Sequence, residues 1–386
     1  MRNLSFMMRP LAFVAVAGIA LHAGAANAED KLPSTLAWTA YDVGSGGYNQ
    51  AVAIGGALKR KMGVNLRVLP GKNDVSRQIP LREKKVQFSA TGLGASYFAQ
   101  EGVHEFGEKS WGPQEVRLLL TSNSDGGLSI GVANDVGIKT MADLKGKRVA
   151  WVHGSPSLNE NIGAVLRFAG LTWDDVVKVE FSGFGPAWDG IIANQADAAW
   201  ASTTSGKAYQ LETSPRGIFW PPLPHNDKAG WARMKEVAPF FVPIMGTEGA
   251  AMSKEKPWEG ATYPYPILLA YADQDEGMVY AMTKAMVELF PEYKGSAPGI
   301  DGWALERQVF EWVVPWHAGA VRYFKEKGVW NDDLQAHNDK LIERQKVLKS
   351  AWAEMQKKKV ADDAFEKTWA ETRRAALVGA GMSPVW

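Results

Sequence analysis

The sequence predicts an α/β protein of two lobes with a helical extension at its C-terminus. Three observations lead there. A short apolar strand, a glycine-bearing turn, a helix and a second strand follow one another from Leu36 onward, the opening of a parallel sheet flanked by helices. The same order of elements returns after about residue 126. A chain of 386 residues is also too long for one hydrophobic core, which makes two domains the expectation.

In the first unit, Leu36-Ala37-Trp38-Thr39-Ala40 reads as a buried strand feeding the turn at Asp42–Asn49. A helix follows, with Val52, Leu58 and Met62 expected on its inner face and Lys59, Arg60 and Lys61 off it. Val64–Leu69 alternates as a half-buried strand does, and Pro70-Gly71 ends it. In the second unit, Leu128–Ala133, Val149–Val152, Val176–Phe181 and Asp197–Ala201 read as strands, the last small and apolar enough to be covered on both faces. A helix with Ile162, Val165, Leu166 and Ala169 on one face stops at Gly170. Pro215–Pro266, rich in proline and tryptophan with weak periodicity, reads as loops and short helices around the second lobe. Tyr265–Tyr271 reads as a strand returning to the first lobe. Met278, Met282, Ala285, Met286 and Leu289 mark an amphipathic helix. Leu334, Leu341, Leu348 and Met355 recur every seven residues, a long helix or helical hairpin docked on the protein's own body. Lobe I is thus expected at 29–127 plus 265–330, lobe II at 128–264 and the extension at 331–386.

The N-terminus reads as an address. Arg2 and Arg9 precede the apolar Leu11–Ala23, and Ala26-Asn27-Ala28 follows, the pattern of a secretory signal peptide cleaved after Ala28. The apolar run falls short of the roughly 20 residues that span a bilayer. The expectation is a mature chain in the periplasm that does not insert in the membrane. Lys and Arg number 43 against 42 Asp and Glu, so no global field favours nucleic acid. The absence of cysteine excludes disulfides, zinc ribbons, iron–sulfur clusters and thiol nucleophiles. His104, His153, His225, His317 and His337 form no pair at metal-ligand spacing, and no G-x-S-x-G elbow occurs. Neither metal nor cofactor is expected, and the residues point to a binding protein more than to an enzyme.

The candidate site centres on turns. Gly44-Ser45-Gly46-Gly47-Tyr48 lets backbone approach a ligand and leads to a helix N-terminus, whose unpaired N–H groups suit a carboxylate or phosphate. A plain tight turn explains those glycines equally well, and the spacing is not that of a dinucleotide-binding loop. Gly154-Ser155-Pro156-Ser157 is its counterpart in the second unit. Two such turns at strand carboxyl ends face each other across a cleft. Ser155, Ser157, Asn159, Ser202 and Thr203 are candidate hydrogen-bonding residues there. Trp188 and Trp200 are candidates for an aromatic wall, although core packing explains each as well.

Several blocks together resemble one family. They are Gly44-Ser45-Gly46-Gly47-Tyr48 with Gly55-Gly56-Ala57-Leu58, Gly137–Val149 (GIKTMADLKGKRV), Asn194–Trp200 (NQADAAW), Met278–Ala285 (MVYAMTKA) and Trp316–Gly328 (WHAGAVRYFKEKG). In that order they resemble the TAXI family of TRAP-associated extracytoplasmic immunogenic proteins. Those are periplasmic solute receptors of tripartite ATP-independent transporters. The resemblance runs to about Trp330. It implies a two-lobed periplasmic binding protein of the class II type, with crossover hinge segments, closing on a small organic acid and serving TRAP-type membrane permease subunits. This chain departs from the family pattern where it has Asn73–Arg77 in place of Gly-Ser-x-Glu-Asn, and Gly92-Leu93-Gly94 in place of Gln-Ser-Asp. Arg77 then becomes a candidate carboxylate anchor, with a surface arginine as its equal alternative. Thr91 and Gly92 join the candidates. The ligand expected is larger, flatter or more apolar than an acidic amino acid. A periplasmic hydrolase on the same frame and a ligand-presenting sensor subunit are the alternatives.

Overall fold

The computed structural model describes Met1 and residues 30–385. The signal-peptide reading falls on residues outside that set, apart from Met1. In chain order the first elements are β1 (Thr35–Ala40), α1 (Gly46–Met62), β2 (Asn65–Pro70), α2 (Asp74–Arg82), β3 (Phe88–Thr91), α3 (Leu93–Glu101) and β4 (Val116–Thr121). Next come β5 (Leu128–Ala133), β6 (Arg148–Val152), α4 (Pro156–Phe168), β7 (Val177–Phe181), α5 (Phe184–Ile192), β8 (Ala198–Ser202), α6 (Gly206–Thr213), β9 (Ile218–Phe219), α7 (Lys228–Lys235), β10 (Val242–Gly246) and β11 (Trp258–Thr262). The chain ends with β12 (Ile267–Tyr271), α8 (Glu276–Glu288), α9 (Phe290–Tyr293), α10 (Ala318–Glu326), α11 (Asp332–Lys357) and α12 (Asp362–Gly379).

The strands form two five-stranded mixed sheets, ordered β2-β1-β3-β12-β4 and β7-β6-β8-β5-β9, and a hairpin of β10 and β11. In each sheet one strand runs against the parallel set: β12 is antiparallel to β3, and β5 to β8. These are the strands that follow the two crossings between lobes, 122–127 and 263–266. The crossings are themselves tied by backbone bonds, from Ser122 N to the Pro266 carbonyl and from Tyr265 N to the Ser122 carbonyl, both 2.9 Å. Helices cover both sheets, so the fold is a two-lobed α/β frame with a helical extension.

Local chemistry accounts for the elements. Ser45 caps α1 by accepting from Tyr48 N at 3.2 Å, and Gly63 closes it in the left-handed region after a basic last turn. The buried side of α1 carries Gly47, Ala51, Ile54 and Leu58, a strict 3–4 spacing. Val52 and Met62 were expected there but are 49% and 47% exposed: Val52 falls off that spacing, and Met62, four residues past Leu58, is the last residue of the helix. The proline- and tryptophan-rich stretch is more regular than expected. It contributes β9, α7 and the β10–β11 hairpin, and Trp220 sits between Trp188 and Trp258 with ring centroids 6.4 and 6.3 Å away.

The tail is a helical hairpin clamped to the first lobe. Glu101 at the end of α3 is fully buried, and Arg344 of α11 holds its carboxylate through two bonds of 2.6 and 2.8 Å. Arg373 of α12 also pairs with it. Burial would raise the Glu101 pKa, but the two guanidinium groups hold it below the usual value. Trp369 donates from its indole to the Gly102 carbonyl at 2.6 Å. Among the described residues, no helix is long and apolar enough to cross a membrane.

Candidate ligand-binding cleft

The carboxyl ends of the parallel strands in both sheets lead into helices that start at one gap between the lobes, the position where open α/β sheets bind ligands. A cavity with about 420 Å³ of space between atoms lies there. Its walls include Ser45, Arg77, Ser155, Ser157, Trp200 and Ser202, all expected from the sequence. Tyr41, Lys72, Leu128, Phe184, Tyr263 and Tyr265 also border it and were not anticipated. The room open to the centre of a water molecule is only about 20 Å³, little more than the ~10–15 Å³ that one water needs. The lobes are nearly shut on each other.

Arg77 is the main charged feature of the walls. It is 3% exposed, so the surface-arginine alternative does not hold. Its guanidinium lies 4.0 Å from the centre of the Tyr41 ring, and its Nη2 pairs with Asp74 Oδ1. Its Nε–H is buried with no acceptor. A buried arginine donor left without an acceptor is costly. Burial pushes the Tyr41 phenol well above its ordinary pKa and that of Tyr265 up to about 12, so both are hydroxyl groups able to donate at any physiological pH.

Protein carboxylates already hold two lobe II helix N-termini. Asp74 Oδ2 accepts from Ser157 N in the first turn of α4 at 2.7 Å, and Asp42 Oδ2 accepts from Gly185 N in the first turn of α5 at 3.1 Å. Asn73 Nδ2 to the His153 carbonyl at 3.1 Å, Val75 N to the Gly154 carbonyl at 3.3 Å and Phe184 N to the Lys72 carbonyl at 3.3 Å complete the closure.

Other expected residues serve the frame instead. Trp188 is fully buried in the second lobe's core, its indole donating to the Trp200 carbonyl at 3.1 Å, and does not reach the cavity. Asn159 spends both ends of its amide on the Val152 backbone, each bond 2.9 Å. Thr203 Oγ1 bridges Gly127 N and the Glu248 carbonyl beside a crossing. Thr91 is buried in β3 opposite Ile267. Gly44, Gly46, Gly47, Tyr48 and Gly92 lie next to the cavity without lining it. The glycines act through close approach: a Cβ on Gly47 would stand 2.6 Å from the Tyr41 ring, and one on Gly92 2.5 Å from its hydroxyl. Gly44, at φ 85°, sits against Lys207 of the opposite lobe.

The sequence carried signals for two of the missed residues. Tyr263 and Tyr265 belong to a Tyr-Pro-Tyr-Pro crossing, where alternate aromatic groups face inward. Asp74 reads as an ordinary first-turn acid behind its cap Asn73, which accepts from Ser76 N at 2.8 Å. Nothing in the sequence distinguishes it from one.

The sequence matches the NMT1-like family over residues 43–328. The chain belongs to that family. In this NMT1-like protein the matched stretch holds every cavity-lining residue except Tyr41 and ends before α11. Among solved structures, it is similar to the alkanesulfonate-binding protein SsuA from Xanthomonas axonopodis pv. citri bound to MOPS. That match has 13% identity and a TM-score of 0.44, covering 79% of this chain and 83% of that one. An ancestral arginine-binding protein bound to arginine is 17% identical with a TM-score of 0.42, covering 70% and 96%. The periplasmic aliphatic sulphonate binding protein SsuA from Escherichia coli is 16% identical with a TM-score of 0.39, covering 81% and 88%.

Proposed function

We propose that this NMT1-like protein is an extracytoplasmic receptor that captures a small organic carboxylate between its lobes and hands it to a TRAP-type secondary transporter. The observation that carries this reading is Arg77. A buried guanidinium on the wall of an interlobe cavity, with its Nε–H unmet, is a built place for one oxygen of an anion. The hydroxyls of Ser45, Ser155 and Ser202 border the same space and can accept or donate to suit the ligand. The mechanism is a population shift: ligand meets one lobe, the other closes over it, and only a ligand that prefers the closed state drives closure. The closed surface then signals occupancy to the permease. The N-terminal signal pattern supports export, and the sequence blocks shared with TAXI proteins support the TRAP partner. A thermal-shift screen of carboxylic acids on the chain from Glu29 onward tests the reading. A specific acid should raise Tm, by an amount that grows with the logarithm of its concentration relative to Kd. Proteoliposomes with a TRAP-type permease should then take up that acid on an ion gradient, without ATP, only when the receptor is added.

A further inference from the structure

Resting on the carboxylate-receptor reading, we propose that Asp74 restricts the cleft to monoanions with an apolar body. Two cations border the cavity, Lys72 and Arg77. Arg77 is already balanced, because Asp74 pairs with its Nη2 and both side chains are buried, at 2% and 3% exposure. The second oxygen of Asp74 occupies the N-terminus of α4 through Ser157 N. The two strongest anchors for a carboxylate in this cleft, a guanidinium edge and a helix N-terminus, are thus held by one internal carboxylate.

What remains for a ligand is the Nε–H of Arg77, which has no acceptor, the Lys72 ammonium, which takes part in no ion pair among the described residues, and neutral hydroxyls. That set balances one negative charge. A second ligand carboxylate would lie in a nearly closed cavity with no free cation beside it and with the Asp74 charge nearby. Burying an unpaired charge costs far more than a hydroxyl contact returns. The rest of the wall is apolar or aromatic, with Phe184, Trp200, Leu128 and Tyr263 facing the space. Such a wall favours a hydrocarbon or aryl body over a second charged end.

The test is calorimetry on the chain from Glu29 onward with two sets of probes: benzoate, phenylacetate and 4-methylpentanoate against succinate, glutarate and malate. At least one monocarboxylate should bind tenfold or more tightly than any dicarboxylate. In Asp74→Asn, which keeps the side chain's shape and frees a positive charge, that preference should fall at least tenfold. A wild-type preference for a dicarboxylate overturns the inference while leaving the carboxylate-receptor reading intact. Binding by neither set overturns both. An Asp74→Asn protein that folds and keeps the wild-type preference removes the assignment to Asp74. If that variant does not fold, the wild-type ratio alone decides.

Discussion

Asp74 on the first lobe accepts a hydrogen bond from the backbone N–H of Ser157 on the second, at 2.7 Å across the cleft. The same carboxylate pairs with Arg77 behind it. One buried residue therefore joins the lobes, caps α4 and balances the cleft's guanidinium. Asp42 repeats the arrangement at α5 through Gly185 N. Closure in this family member is supported by the protein's own anions, before any ligand contributes.

Removing those anions should open the molecule. The double variant Asp42→Ala, Asp74→Ala is expected to show a larger radius of gyration than wild type in small-angle scattering without ligand. Equal radii would mean that these bonds do not hold the lobes together.

The glycines beside the cleft are required by Tyr41. Gly92→Ala places a methyl group 2.5 Å from the Tyr41 hydroxyl, too close for either to stay. Overpacking of this kind costs about 1–3 kcal/mol. Urea unfolding should report a loss in that range, and the Gly92→Ala, Tyr41→Phe double variant should recover part of it.

The extension is expected to be integral to the first lobe. Glu101→Ala leaves Arg344 and Arg373 facing a buried space with no carboxylate, and breaking a buried pair on one side costs about 3–5 kcal/mol. Chemical denaturation should show that loss. A change below about 1 kcal/mol, the scale of a surface pair, would show the clamp to be dispensable.

Glu160 on α4 lies 3.6 Å from His104 of the first lobe. Burial, then the Glu105 charge, raises its pKa to about 7. The folded state thus binds a proton that the unfolded chain has released, and this group's contribution to stability declines as pH rises from about 4.5 to about 7. His104 works the other way: burial, then Arg373, lowers its pKa to about 4, so its contribution improves from about 4 to about 6.5. The two partly cancel in wild type. Glu160→Gln should isolate the first, gaining stability relative to wild type between about pH 4.5 and 7 and matching it below. A constant difference across that range would contradict the assignment.

Strand–turn–helix order was legible because each element carries a local signal. The alternation of Val64–Leu69 and the glycine stop at Gly170 can be read from neighbours in sequence, whereas the inner face of α1 was misread onto Val52 and Met62. The cleft was legible where a turn at a strand end pointed to it, as at Ser45, Ser155 and Ser157, and at Arg77, where the chain departs from the pattern it otherwise resembles. Trp188 and Asn159 misled because their partners, the Trp200 and Val152 backbones, are set by tertiary packing. Asp74 was hidden for the same reason: its role lies in contacts 83 residues away in sequence.

The most direct test is titration calorimetry of the chain from Glu29 onward with the best acid from a carboxylate screen, on wild type and Arg77→Met. The account predicts a single site per chain, ligand recovered chemically unchanged, and a loss of about 1–3 kcal/mol of binding in the variant, the value of a charge-assisted hydrogen bond. Equal affinity in Arg77→Met, or conversion of the ligand to a product, would contradict it.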